Sequence, residues 1–142
     1  MRLLLSLALA FLAALPVHAG VTPEQLAVLY ASSSPFESIP KSEWLAESRR
    51  AFVIRAKSPQ APVHLLVIPK RRVPTVLQAS DSLMGELMAL AKRAAREQGI
   101  DQDGFRLIIN THPNGGQGVY HLHMHVLGGR ELGWSPGFRN GG

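Results

Sequence analysis

Three hydrophobic patterns along the chain predict three different elements. From Val63 to Ile68 apolar residues follow one another almost without interruption and Pro69 closes the run, which predicts a strand, with His64 near its start. Between Ser82 and Gln98 the apolar positions recur at helical spacing. Leu83, Leu87, Leu90 and Ala94 stand four, three and four apart, and Met84, Met88 and Ala91 widen the same stripe. Ser80 or Asp81 can cap this helix, Lys92, Arg93 and Arg96 suit its negative end, and Gly99 can stop it. The methionines of the stripe read as core filler. From His121 to Leu127 the pattern alternates strictly, so on a strand His121, His123 and His125 share one face and Leu122, Met124 and Val126 take the other.

The remaining elements are shorter. Thr22-Pro23-Glu24 combines a capping hydroxyl with a first-turn proline and opens a helix to about Tyr30, which Ser32-Ser33-Ser34-Pro35 ends. Trp44 to Glu47 and Ala51 to Ala56 read as two strands joined by a polar turn at Ser48-Arg49. Phe105 to Thr111 is a fourth strand between Asp103-Gly104 and Pro113-Asn114-Gly115-Gly116. His121 to Leu127 is the fifth. Five strands and one main helix predict an α+β fold: an antiparallel sheet whose apolar face is covered by that helix, with a short N-terminal helix beside it.

The first residues belong to none of this. Arg2 is followed by an apolar run from Leu3 to Leu15, and Val17-His18-Ala19 places small residues three apart, the pattern of a secretory signal peptide cut after Ala19. The run falls well short of the roughly 20 residues that a spanning helix needs. The chain is therefore expected to be periplasmic or secreted, with no membrane attachment after cleavage. Removing 19 of the 142 residues leaves 123, enough for one domain with one core. Residues 1–19 are the predicted signal, 20–34 the N-terminal helix and linker, 35–138 the main domain and 139–142 a flexible tail. Cysteine is absent, so no disulfide forms. Loss of Arg2 lowers the formal charge from +5 to +4, and the group Lys70-Arg71-Arg72 reads as a solvated turn. Aromatic residues are not interleaved with basic ones, and no nucleic-acid-binding motif is found.

Three alternate histidines after the glycine-rich Gly115-Gly116-Gln117-Gly118 form a line of imidazoles spaced by about 6.5–7 Å, long enough to span a phosphate. Neutral imidazole is a competent nucleophile near neutral pH, and the middle ring, His123, has a neighbour on either side to touch phosphate oxygens or hold it. Glycines let backbone N–H groups approach an anion closely. The triad with its Gly-Gly-Gln lead-in, together with Ser58-Pro59-Gln60-Ala61-Pro62-Val63-His64, resembles the histidine-triad (HIT) family and, within it, the Hint branch of nucleotide-binding hydrolases.

That resemblance implies the following. His123 matches the nucleophile that forms a nucleotidyl-histidine, His125 the phosphate-contacting histidine, and His64 and His121 the supporting ones. Asn110, Gly116, Gln117 and Gly118 match nucleotide- and phosphate-binding positions. Such domains pair through a helix and a strand edge into a homodimer with a continuous ten-stranded sheet, and Trp134 would pack near the partner's site. The substrate would be a nucleoside phosphoramidate or related nucleotide, with no cofactor. No structural zinc is expected, because Ser34-Pro35-Phe36-Glu37 occupies the place of the family's frequent cysteine pair.

Two departures stand out. Gly118 replaces a serine that commonly hydrogen-bonds the leaving group, and Ala56 stands where an aspartate usually grips the ribose hydroxyls. A catalytically weak nucleotide-binding protein is therefore one rival reading. An exported metal-binding protein is another, since two histidines at i and i+2 plus His64 or His125 can hold zinc or copper. All three triad histidines cannot share one ion, because their line is longer than metal–nitrogen distances of about 2.0–2.1 Å allow.

Overall fold

Leu83, Leu87, Leu90, Ala91, Ala94 and Ala95 make one buried stripe along α2 (Asp81–Glu97), the helix against which the sheet is stacked. The structure is a computed structural model and describes residues 20–133, so the predicted signal, Trp134 and the predicted tail lie outside the described residues. Ser80 caps α2 by accepting from the Leu83 amide, and Gly99, at φ +70°, takes the left-handed turn that ends it. Burying a leucine such as Leu87 is worth roughly 1.5–3 kcal/mol. Of the predicted stripe, Met84 packs on the core, but Met88 is 40% exposed and is not core filler. It lies at the margin of the stripe, beyond the reach of the sheet.

The sheet contains β1 (Ala46–Glu47), β2 (Ala51–Arg55), β3 (Val63–Pro69), β4 (Phe105–Ile108) and β5 (Met124–Gly128), in the order β1-β2-β3-β5-β4. Every pairing is antiparallel. The α+β fold is as expected. Alternation sends Ala51, Val53, Leu65, Val67, Met124 and Val126 toward α2. The opposite face carries a second apolar cluster, Phe52, Ile54, Leu66 and Ile68, covered by Phe36, Ile39 and Trp44. β2 and β3 are thus buried on both faces, which is why their apolar runs are nearly continuous.

Three predicted strands are shorter by two residues or more in the structure. Lys41–Glu43 forms a 3-10 turn, and Trp44 stacks on Phe52 with ring centroids 4.2 Å apart, leaving only Ala46–Glu47 to pair. β4 stops at Ile108 instead of continuing to Thr111. The histidine strand begins at Met124, so His121 to His123 lie outside it. Proline at position 69 has no N–H to donate, and its carbonyl accepts from the His121 ring, so the β3–β5 ladder ends at Val67–Met124. Leu122 donates its amide to the Val73 carbonyl instead.

α1 (Pro23–Ala31) begins at Thr22 with a capping box closed by Gln25, as its sequence predicts. No helix among the described residues is long and apolar enough to cross a membrane. Lys70-Arg71-Arg72 is not a simple solvated turn: Arg72 is half-buried, and donates through Nε to the Tyr120 carbonyl and through a terminal nitrogen to the Tyr30 carbonyl.

Candidate active site

His64 and His125 project from neighbouring strands on the face away from α2, where His125 stands opposite Leu66 and Ile108 in the sheet register. Their ring nitrogens, His64 Nε2 and His125 Nδ1, are 2.9 Å apart. The backbone fixes which of them carries the proton. The Gln60 amide donates to His64 Nδ1, so the proton of neutral His64 is on Nε2, which donates to His125 Nδ1. His125 then holds its own proton on Nε2. That atom is buried and has no hydrogen-bond partner among the described residues.

The same logic orients the other two rings. A carbonyl only accepts, so the 2.8 Å contact between His123 Nδ1 and the His121 carbonyl places the His123 proton on Nδ1. His123 Nε2 is left as a free lone pair, with no partner among the described residues. His121 donates from Nε2 to the Pro69 carbonyl, and its Nδ1 accepts from the Ser34 hydroxyl at 2.7 Å. The Ser34 oxygen in turn accepts from the Phe36 amide.

The four imidazoles therefore form a directed array and not an exposed row. His123 and His125 meet edge to face at 5.0 Å, and His64 and His125 are 5.2 Å apart. His121 is only 1% exposed and lies behind the others as a brace. The open imidazole face that strand alternation predicts is partly roofed, since Phe36 sets its edge against His121 at 5.5 Å and His123 at 5.2 Å.

The glycine-rich loop spends most of its own amides on its own carbonyls. A 3-10 turn at Pro113–Gly115 and the left-handed Gly116, φ +75°, fold the loop onto itself. The amides of Gly115 and Gln117 donate to the His112 carbonyl, and that of Gly116 to the Pro113 carbonyl. Of Gly116, Gln117 and Gly118, only Gly118 keeps an amide without a partner among the described residues. The Gln117 side chain is also spent inside the loop, donating to the Pro74 and Val119 carbonyls and accepting from the His112 amide. The Gln117 side chain thus braces the loop. Asn110 lies two residues beyond Ile108, where β4 and its pairing with β5 end.

Sequence reasoning passed over Ser34 and Phe36 as site residues, and over His112. Ser34 meets His121 across 87 positions, and no local pattern signals such a contact. His112 adopts φ +60°, and its Nε2 shares a 2.8 Å hydrogen bond with the Tyr30 hydroxyl, tying α1 to the loop. In sequence, Thr-His-Pro shows only a turn.

Burial, which penalises the charged ring, lowers the pKa of all four site histidines. For His125, burial and then the neighbouring His123 and His64 rings push it down to about 4. The unfolded chain, with histidine near 6.5, binds more protons between those values. Stability from these groups is therefore complete above about pH 6.5 and declines as pH falls below it, for His125 down to about 4. Glu86, held down to about 2 by Ser48 and Arg50, loses its contribution only below its ordinary 4.5. The urea midpoint should therefore fall between pH 7 and 4.5, with a shallower fall in His125→Asn. A flat midpoint across that range would contradict the assignment.

A five-stranded antiparallel sheet with one covering helix, carrying on its far face an ordered cluster of imidazoles that burial keeps neutral, defines the class of protein. The comparisons sharpen this class. A family model of the HIT domain matches residues 39–132, and the chain belongs to the HIT domain family. It is 47% identical over 94 residues to an uncharacterised HIT-like protein of Synechococcus elongatus, covering 64% of this chain and 82% of that one. It is 51% identical over 79 residues to the purine nucleoside phosphoramidase of Escherichia coli K12, covering 54% of this chain and 66% of the relative. Among solved structures, a HIT family hydrolase from Legionella pneumophila Philadelphia 1 superposes with a TM-score of 0.69 at 36% identity, covering 74% of this chain and all of the other.

Proposed function

We propose that this chain is an exported, Hint-like hydrolase of nucleoside phosphoramidates or related nucleotidyl substrates, working through a nucleotidyl-histidine on His123. The observation that carries the reading is the unshared lone pair on His123 Nε2 beside the unpartnered N–H of His125 Nε2. Similarity to the E. coli purine nucleoside phosphoramidase supports the substrate class.

In the proposed reaction, His123 Nε2 attacks phosphorus and the P–N bond breaks, the amine leaving as it takes up a proton. His125 Nε2–H donates to a phosphate oxygen while its ring stays neutral, in keeping with its lowered pKa. As His123 becomes positive, its Nδ1–H bond to the His121 carbonyl strengthens, so this contact favours the transition state over the ground state. Water then adds to phosphorus, the N–P bond breaks, and a proton equivalent to the one taken by the amine is released.

The supporting bonds also weigh against the metal-binding reading. His64 and His125 spend one nitrogen each on the other, and His121 and His123 each spend one on a carbonyl. A metal would have to break several of these contacts. In the working enzyme we propose a homodimer joined along β4, an edge strand whose outer side is unpaired among the described residues.

Incubation with an adenosine phosphoramidate, with and without chelator, tests the activity. Release of amine and adenosine monophosphate at the same rate in both arms is expected. Absence of turnover, or its loss with chelator alongside stoichiometric metal in the purified protein, would reject the reading. Export is tested separately: N-terminal sequencing of protein from the cell envelope should begin at Gly20, and an intact Met1 on cytoplasmic protein would reject it.

A further inference from the structure

Behind the histidines, on the side where β3 turns toward α2, lies a cleft of about 630 Å³ that the proposed reaction does not use. Arg49, Arg50, Lys70, Arg71 and Arg72 line it with Ser80, next to Asp81 in the first turn of α2, and no Asp or Glu is among its lining residues. Two carboxylates stand nearby and account for part of this charge. Glu86 accepts from the Arg50 amide and Nε, and Glu47 pairs with both Lys70 and Lys41.

Three cations remain uncompensated. Arg49 and Arg71 are exposed and make no salt bridge among the described residues. Arg72 is half-buried but bonded only to carbonyls, which leave its charge intact. Like charges converging on a concave surface repel one another, so this arrangement is stabilised by an anion that enters between them. Arginine also matches the geometry of phosphate oxygens with paired donors. The volume falls in the range of small-molecule sites, roughly 300–1,000 Å³, and three free positive charges exceed what a single phosphate monoester neutralises.

We infer that this cleft binds a small polyanion bearing two or more linked phosphoryl groups, at a site separate from the histidines. Its wall is continuous with theirs: Pro69 lines the cleft and its carbonyl holds His121, while Arg72 holds the Tyr120 carbonyl.

The test is titration of the mature chain with inorganic pyrophosphate, followed by amide and arginine Nε resonances in NMR. Salt at about 0.15 M shortens diffuse attraction to a Debye length of about 8 Å. Saturable shifts at Lys70, Arg71, Arg72, Val73 and the Arg49 and Arg71 side chains are expected. Arg49→Glu with Arg71→Glu should weaken the affinity at least tenfold while the spectrum elsewhere remains that of the folded protein. Three outcomes would overturn the proposal: shifts confined to residues 115–118 and 121–125, unchanged affinity in the double variant, or no shift at millimolar pyrophosphate. Capture by phosphatidylglycerol vesicles without a response to free pyrophosphate would equally overturn it, making the cleft a membrane contact.

Discussion

His123→Asn should lower kcat/KM for an adenosine phosphoramidate by at least about a thousandfold, because none of His64, His121 and His125 has a ring nitrogen free to take over the attack. His64 Nε2 and His121 Nε2 are donors bound to acceptors, and His125 Nε2 carries a proton. Among these four histidines only His123 presents a lone pair to incoming phosphorus. Folding should survive, since His123 lies outside β5 and its ring meets the His121 carbonyl, Phe36 and His125. Loss of these contacts at a half-buried position costs roughly 0.5–3 kcal/mol. Mass spectrometry of the quenched wild-type reaction should find the nucleotide adduct on His123. An adduct on His121 or His64, or full activity in the variant, would sink the assignment.

The second large effect is expected in the opposite direction, as a gain. Ala56 continues the face of β2 that carries Phe52 and Ile54, and packs on their cluster; its amide donates to the His64 carbonyl. A carboxylate at this position would therefore stand on the imidazole side of the sheet. Hydrogen bonds to a charged group are worth roughly 1.5–3 kcal/mol each, and 1.4 kcal/mol is a factor of ten. Ala56→Asp should accordingly lower KM for nucleoside phosphoramidates by about tenfold. A Cβ at Gly118 would meet nothing within 4 Å, so Gly118→Ser fits without strain. A hydroxyl that engages the leaving group as the bond breaks acts on the barrier, so this variant should raise kcat by about tenfold. The two effects should multiply in the double variant. If steady-state kinetics show neither parameter moving by more than about twofold where tenfold is expected, these positions do not contact ribose and leaving group, and the natural substrate is not an ordinary nucleotide.

Much of the architecture can be read from periodicity alone. The α2 stripe, the capping hydroxyls at Thr22 and Ser80, and the alternation of Leu122, Met124 and Val126 with histidine are local features, and burial follows them closely. The apolar run of Val63–Ile68 marks a strand covered on both faces. Residue chemistry likewise singles out His121, His123 and His125, and the family resemblance adds His64. Such properties depend on neighbours a few positions apart, which helix and strand geometry bring together whatever the rest of the chain does.

Tertiary structure decided everything that depends on distant partners. Ser34 and Pro69 reach His121 from 87 and 52 positions away and turn a predicted outward ring into a buried brace. Gln60 sets the tautomer of His64 and, through it, that of His125. Pro74 and His112 draw the Gln117 side chain inward to brace the loop. Arg72 likewise leaves solvent to hold the Tyr120 carbonyl. The sequence by itself determined which side chains could do the chemistry and which face of the sheet they share. Their protons, burial and competing partners were decided only when remote backbone donors and acceptors arrived, because a hydrogen bond depends on distance and direction in space and leaves no periodic trace along the chain.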